Sequence, residues 1–176
     1  GPIAIPLLIV RRPEPSRRFL VYCTDDSKEE RLSHNVVAEA LSSGMTVVLP
    51  DVRFVGALSL ESLRGKASRH VAHSCAHPLE ENDGADYRKA WTRNGILWGR
   101  PLPGMAASDI LAVRTFIESK LGADSVELEA TGEIGAGAMF AALFEDCFDE
   151  VRIDLAGRSW AEGTLPLVPN ILKYGD

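Results

Sequence analysis

Four residues of the kinds that bind transition metals stand close together in the sequence: His70, His73, Cys75 and His77. Imidazole nitrogens and thiolates are the ligands that zinc prefers, and a site needs three or four of them at about 2.0–2.3 Å. The spacing here matches no zinc pattern, and the segment has no helical or strand periodicity. We therefore interpret these residues as polar loop residues, with a metal site as the alternative, and we predict no cofactor.

A second pattern with chemical potential is the glycine-rich turn formed by Gly132, Gly135 and Gly137. It follows an apolar run and opens a helix-forming segment. Such turns bind dinucleotides or carry a catalytic nucleophile between a strand and a helix. The dinucleotide interpretation fails because Phe140 stands where a small residue is needed. The helix N-terminus, which favours anions in general, leaves a small-molecule or anion site as a weaker possibility.

Apolar runs and helical patterns alternate along the chain. The runs predict strands at residues 5–10, 19–23, 45–49, 125–130 and 151–155. The patterns predict helices at 27–44, 86–94, 104–121 and 135–144. This alternation predicts an α/β fold with a mostly parallel sheet and helices on both faces. We expect a single domain over residues 1–176, with a long loop insertion at 51–84, where periodicity is lost.

Composition excludes some partners of this domain. The chain has 176 residues and a net charge of -6, and it contains no Lys/Arg run, which argues against a nucleic-acid partner. No apolar run reaches the roughly 18–20 residues that span a bilayer, so we predict no membrane segment. The three cysteines are an odd set without motif spacing and imply no disulfide framework.

Three stretches resemble a known family, and the first of them is the most specific. Residues 94–105 read Asn-Gly-Ile-Leu-Trp-Gly-Arg-Pro-Leu-Pro-Gly-Met and precede Asp109 and a helix. This turn resembles the acetyl xylan esterase-like and dienelactone hydrolase-like branch of the α/β hydrolases, where it leads into the helix before the nucleophile strand. Residues 126–143 resemble that branch's strand, nucleophile elbow and Ala-rich helix, and 168–176 a segment after its sixth strand. The resemblance implies an α/β-hydrolase-like fold whose C-terminal part, which carries the catalytic acid and histidine, is missing.

The elbow of that family reads Gly-x-Ser-x-Gly, because the nucleophile sits on a sharp, strained turn. Here Gly132 keeps the first small position, and Ile134 stands where the serine is expected. Ile134 has no nucleophilic atom, and a shift to Glu133 or Gly135 supplies neither a hydroxyl nor a thiol. The first long strand runs into Asp25 and Asp26, where two carboxylates would repel a developing oxyanion.

These features predict a non-catalytic α/β-hydrolase-like domain with a scaffolding or binding role, in a larger secreted or periplasmic protein. The alternative is an active acetyl xylan esterase-type hydrolase that acts on acetylated carbohydrate. Trp91, Trp98 and Trp160 would suit a carbohydrate ligand if they converged. We also expect an open sheet edge after strand 151–155, which would meet a second copy of the chain or the C-terminal remainder.

Overall fold

The computed structural model describes residues 4–14, 16–59, 92–166 and 168. Its strands are β1 (Leu7–Val10), β2 (Arg18–Thr24), β3 (Thr46–Pro50), β4 (Ser125–Thr131) and β5 (Glu150–Asp154). Its helices are α1 (Lys28–Arg31), α2 (Asn35–Ser42), α3 (Leu102–Leu121) and α4 (Ile134–Phe144). Residues 92–97 are also helical, and Gly56–Leu58 form a short 3-10 turn.

The five strands form one sheet in the order β1-β3-β2-β4-β5. Strands β3, β2, β4 and β5 run parallel, and β1 pairs antiparallel with β3 at one edge. The four strands expected to be adjacent and parallel are therefore confirmed. The mostly parallel sheet with helices on its faces matches the predicted α/β fold class. Strand β5 forms the other edge of the described sheet, and most of its residues are exposed.

Strand β2 supplies two hydrophobic cores because its side chains alternate between the faces of the sheet. Val21 and Cys23 point toward α3 and α4 and join the larger core, which includes Ile110 of α3. Leu20 and Tyr22 point to the opposite face and pack in the core that α2 covers. Both faces of the central strand are therefore buried, as expected for a parallel sheet.

The single helix predicted over residues 27–44 is wrong, because the segment folds as two helices. Ser27 caps α1 and forms a reciprocal capping box with Glu30, whereas His34 adopts an extended conformation and starts α2. The buried guanidinium of Arg31 fixes α1 to the carboxyl ends of β2 and β3, while α2 lies on the sheet face. Leu32, expected on the apolar face, falls at the break and is 45% exposed.

Strand β4 also differs from the expected continuous apolar strand. Leu128 and its neighbours of the same parity are buried in the larger core, but Glu127 and Glu129 occupy the other face. Arg152 of β5 lies over both carboxylates, with its Nη2 2.9 Å from Glu127 Oε2. Ionic pairing across two neighbouring strands therefore takes the place of apolar packing on this part of the sheet.

Parts of the sequence predictions lie outside the described residues. Of the loop insertion at 51–84, the structure describes residues 51–59, and of the helix at 86–94 it describes residues 92–94, which are helical. Within the described ranges, no helix combines the length and the apolar character needed to cross a membrane.

Candidate functional site

The turn between β4 and α4 is built around Gly132. Its φ is +92°, a left-handed conformation that residues with a side chain rarely adopt. Its N–H donates to Asp154 O at 2.8 Å, which fixes the end of β4 to the end of β5. Glu133 already has helical angles (φ −66°, ψ −34°), so the chain passes from strand to helix within a single residue.

The carboxylate of Asp25 occupies the N-terminus of α4. Asp25 Oδ2 accepts a hydrogen bond from the Glu133 N–H at 2.9 Å, and Oδ1 accepts one from the Ile134 N–H at 3.0 Å. The first N–H groups of a helix lack partners within the helix and carry its positive dipole end, so a carboxylate is stabilised there. Glu133 is the N-cap residue, but its side chain makes no capping hydrogen bond. The Asp25 side chain caps the helix instead.

The same carboxylate fills the space beside Gly132. A Cβ atom added to Gly132 would lie 2.3 Å from Asp25 Oδ2, far inside van der Waals contact. Arg158, from the turn after β5, also contacts this carboxylate, with Nη2 3.3 Å from Asp25 Oδ2. The carboxyl ends of β2, β4 and β5 therefore meet at one carboxylate.

A small cavity of about 40 Å³ opens beside this cluster. Asp25, Glu133 and Ile134 line it on one side, and Leu102 and Pro166 contribute apolar walls. Pockets that enclose small organic ligands are typically ~300–1,000 Å³. Among the described residues, the enclosed part of this cavity has room for a few water molecules.

The four residues predicted at the elbow take different positions. Gly132 forms the turn and Glu133 lines the cavity, but Ile134 is 7% exposed and belongs to the larger core. Gly135 is buried against β5, where an added Cβ would lie 3.0 Å from Leu155 Cδ2. Gly132 therefore forms the turn itself, Glu133 and Ile134 border the cavity, and Ile134 is otherwise buried in the core.

Other predicted candidates are not brought to this site. His70, His73, Cys75 and His77 lie outside the described residues, as does Trp91. Trp98 is 76% exposed on the turn after residues 92–97, whereas the Trp160 indole N–H donates to Pro166 O. Among the residues that the structure describes, no group of three or more His, Cys, Asp or Glu residues is placed to hold a metal ion.

Two further reactive groups are held in unreactive states. Cys23 is buried behind the turn, and desolvation raises its pKa to about 12, so the thiol stays protonated. The Tyr22 hydroxyl lies 2.9 Å from His34 Nδ1, and Asp26 Oδ2 lies 3.7 Å from His34 Nε2. This Asp-His-Tyr arrangement resembles a proton relay, but Tyr22 is 4% exposed and burial raises its pKa. Its hydroxyl therefore stays protonated and hydrogen-bonded to His34.

Sequence reasoning placed a carboxylate after the first long strand but missed what that carboxylate binds. The contact between Asp25 and Ile134 spans 109 positions, and no local pattern encodes it. Arg158 carried no signal, because a lone arginine after a strand is common on protein surfaces.

Comparisons with known proteins bear on the fold. No protein-family model matches the chain, and no curated protein matches it either. Among solved structures, it is similar to XC6422 from Xanthomonas campestris, an α/β serine hydrolase without a lid, with a TM-score of 0.47 and 16% sequence identity. The similarity covers 92% of this chain and 61% of that one, so the chain spans less than two thirds of that hydrolase. A likeness of this size says nothing about activity.

Proposed function

We propose that this chain is an α/β-hydrolase-like domain that does not hydrolyse esters and has a scaffolding or binding role. The observation that carries the proposal is the identity of the residue on the strained turn between β4 and α4, which is Gly132. In α/β hydrolases this turn presents the nucleophile at the top of the sheet. A glycine there presents no nucleophilic side-chain atom.

The geometry favours Gly132 over Ile134 as the nucleophile-equivalent position. Sequence spacing assigns Ile134, but this residue lies in the first turn of α4 with its side chain in the core. Gly132 has the positive φ that the strained nucleophile position of this turn requires. The proposal holds with either assignment, because hydrogen and hydrocarbon groups are equally unable to attack a carbonyl.

The donors that an esterase needs are engaged as well. In this fold, the N–H of the residue after the nucleophile helps to bind the oxyanion. With Gly132 in the nucleophile position, that N–H belongs to Glu133, and it donates to Asp25. A developing oxyanion would have to displace a carboxylate from its hydrogen bonds, so transition-state stabilisation is lost together with the nucleophile.

The acetyl xylan esterase-like branch is the finer part of the proposal. It is supported by the turn at residues 94–105, which leads into the long helix α3 as the resemblance implies. Within it, the Arg100 N–H donates to Gly95 O, and Leu97 and Trp98 are exposed. A carbohydrate ligand would suit this branch, with the exposed indole as a stacking surface.

Hydrolysis of p-nitrophenyl acetate tests the proposal. We expect the chain to release p-nitrophenol no faster than a heat-denatured control, and we expect the same of Ile134→Ser and Gly132→Ser. A catalytic unit needs nucleophile, base and oxyanion donors together, so one restored hydroxyl is insufficient. Hydrolysis by the unaltered chain that substitutions at 132–134 abolish would overturn the proposal in favour of an active esterase.

A further inference from the structure

We propose that Asp25 is an internal carboxylate ligand that, together with Arg158, closes this site to external anions. The inference rests on the proposed function, because it explains what occupies the place of the missing reaction centre. It concerns an internal contact that occupies the start of α4, formed by residues from three different strand ends: Asp25 after β2, Gly132 after β4 and Arg158 after β5.

Three donors hold this carboxylate. Two backbone N–H groups, of Glu133 and Ile134, each bind one oxygen, at 2.9 and 3.0 Å. The guanidinium of Arg158 approaches the oxygen that Glu133 binds. Backbone N–H groups at a helix start combined with an arginine form the donor set that a free carboxylate would also recruit.

Gly132 and Asp25 are mutually dependent. The carboxylate can occupy its position only because Gly132 has no Cβ, since an added one would meet Oδ2 at 2.3 Å. Conversely, a residue with a side chain at 132 can be accommodated only if the carboxylate moves away. Loss of the nucleophile and closure of the anion site are therefore two aspects of one arrangement.

The site is accessible to solvent, because the side chains of Asp25 and Arg158 are 39% and 35% exposed. In a variant that lacks the Asp25 carboxylate, the Glu133 and Ile134 N–H groups and the Arg158 guanidinium could bind a carboxylate from solution. Acetate has the atoms of an aspartate side chain from Cβ onward, and formate has those from Cγ onward. Asp25→Gly should therefore be complemented by acetate, and Asp25→Ala by formate.

Chemical rescue tests the inference by thermal unfolding in sodium acetate, sodium formate or sodium chloride at equal ionic strength. We expect acetate at about ten times its dissociation constant to raise the Tm of Asp25→Gly by about 3 °C over chloride, and formate to raise that of Asp25→Ala similarly. The unaltered chain should show only the general effect of each salt on protein stability, which is subtracted from the shift of each variant. Acetate should help Asp25→Ala less than formate does, because its methyl group would meet the Cβ that this variant retains.

Asp26→Gly is the matched control, because it removes a carboxylate from the same loop. Asp26 binds Thr24 and approaches His34, whereas the Glu133 and Ile134 N–H groups at the start of α4 bind Asp25. Equal responses of the Asp25 and Asp26 variants to acetate would overturn the inference. If Asp25→Gly does not fold, Asp25→Ala with formate decides alone, and absence of its response overturns the inference too. Because the readout is stability, it is independent of the esterase assay on the unaltered chain.

Discussion

Two aspartates follow neighbouring strands at the same edge of the sheet, and each fills the space beside a glycine. Asp25 follows β2 and Asp51 follows β3. A Cβ added to Gly132 would lie 2.3 Å from Asp25, and one added to Gly56 would lie 2.4 Å from Asp51. Both glycines have a positive φ, and both carboxylates accept backbone N–H bonds from the segment that follows their glycine. The local arrangement of aspartate, glycine and backbone N–H group is therefore the same at both positions.

The surroundings of the two carboxylates are different. The side chains of Asp51 and Arg31 are fully buried, and their ion pair of 2.8 Å is joined by Lys28. Asp25 is 39% exposed and pairs with the similarly exposed Arg158. The buried Asp51 cluster holds α1 and the end of β3 together, whereas Asp25 occupies a site that faces solvent. The hydrogen-bond pattern of such a carboxylate therefore does not distinguish the two roles, whereas the exposure of its side chain does.

Loss of the buried carboxylate should have the largest effect. We expect Asp51→Ala to lower the free energy of unfolding by about 3–5 kcal/mol, because it leaves the Arg31 guanidinium buried without its counter-ion. Asp25→Ala removes a capping interaction at an exposed position and should cost about 1 kcal/mol. Urea unfolding of both variants measures the difference, and equal losses would contradict the comparison.

Substitution of the glycine beside Asp51 should likewise lower the free energy of unfolding more than substitution of the glycine beside Asp25. We expect Gly56→Ala to cost about 3 kcal/mol, because left-handed backbone costs about 1–2 kcal/mol for alanine and the clash pushes against an anchored Asp51. Gly132→Ala should cost about 2 kcal/mol, because its positive φ also disfavours alanine but Asp25 can turn toward solvent. Gly44→Ala is the control, since Gly44 has a φ of +82° and nothing within 4 Å of an added Cβ. If all three variants unfold at the same urea concentration, the clashes contribute nothing.

The dependence between Asp25 and Gly132 should appear as an interaction energy. We expect Asp25→Gly to recover about 1 kcal/mol of the loss caused by Gly132→Ala, because contacting residues are coupled and the clash disappears with the carboxylate. The same Asp25→Gly change should recover nothing of the loss caused by Gly44→Ala. A double-mutant cycle measured by urea unfolding gives both terms, and strict additivity at 132 would show that the two residues act separately.

The sheet could be predicted from the sequence because the information that specifies it is local. The apolar runs over β2 and β3 and the glycine at 132 are visible in short windows, and the absence of a hydroxyl or thiol at 132–135 needs no structure to be read. Strand β4 was predicted for the wrong reason. Its Glu127 and Glu129 break the apolar run, and their pairing with Arg152 across to β5 explains why a strand still forms.

What the sequence did not predict depends on residues far apart in the chain. A helical pattern continued from Ser27 to Gly44 because nothing local showed that Arg31 would bind the ends of two strands. Asp25 was interpreted only as an obstacle to an oxyanion, because its partners at 133, 134 and 158 are more than a hundred positions away. Such contacts become visible only when the sheet brings strand ends together.

The smallest effect is expected for the exposed partner of the pair, Arg158. Arg158→Ala should lower the free energy of unfolding by about 0.5 kcal/mol, because an ion pair open to solvent gains little and is screened by salt. The loss should be largest at low ionic strength and vanish near about 1 M salt, where the screening length is about 3 Å. Unfolding measured at the two ionic strengths checks both statements. A loss above about 1.5 kcal/mol that persists at high salt would place Arg158 with the buried Arg31, since exposed pairs rarely contribute that much, and exposure would then no longer separate the two clusters.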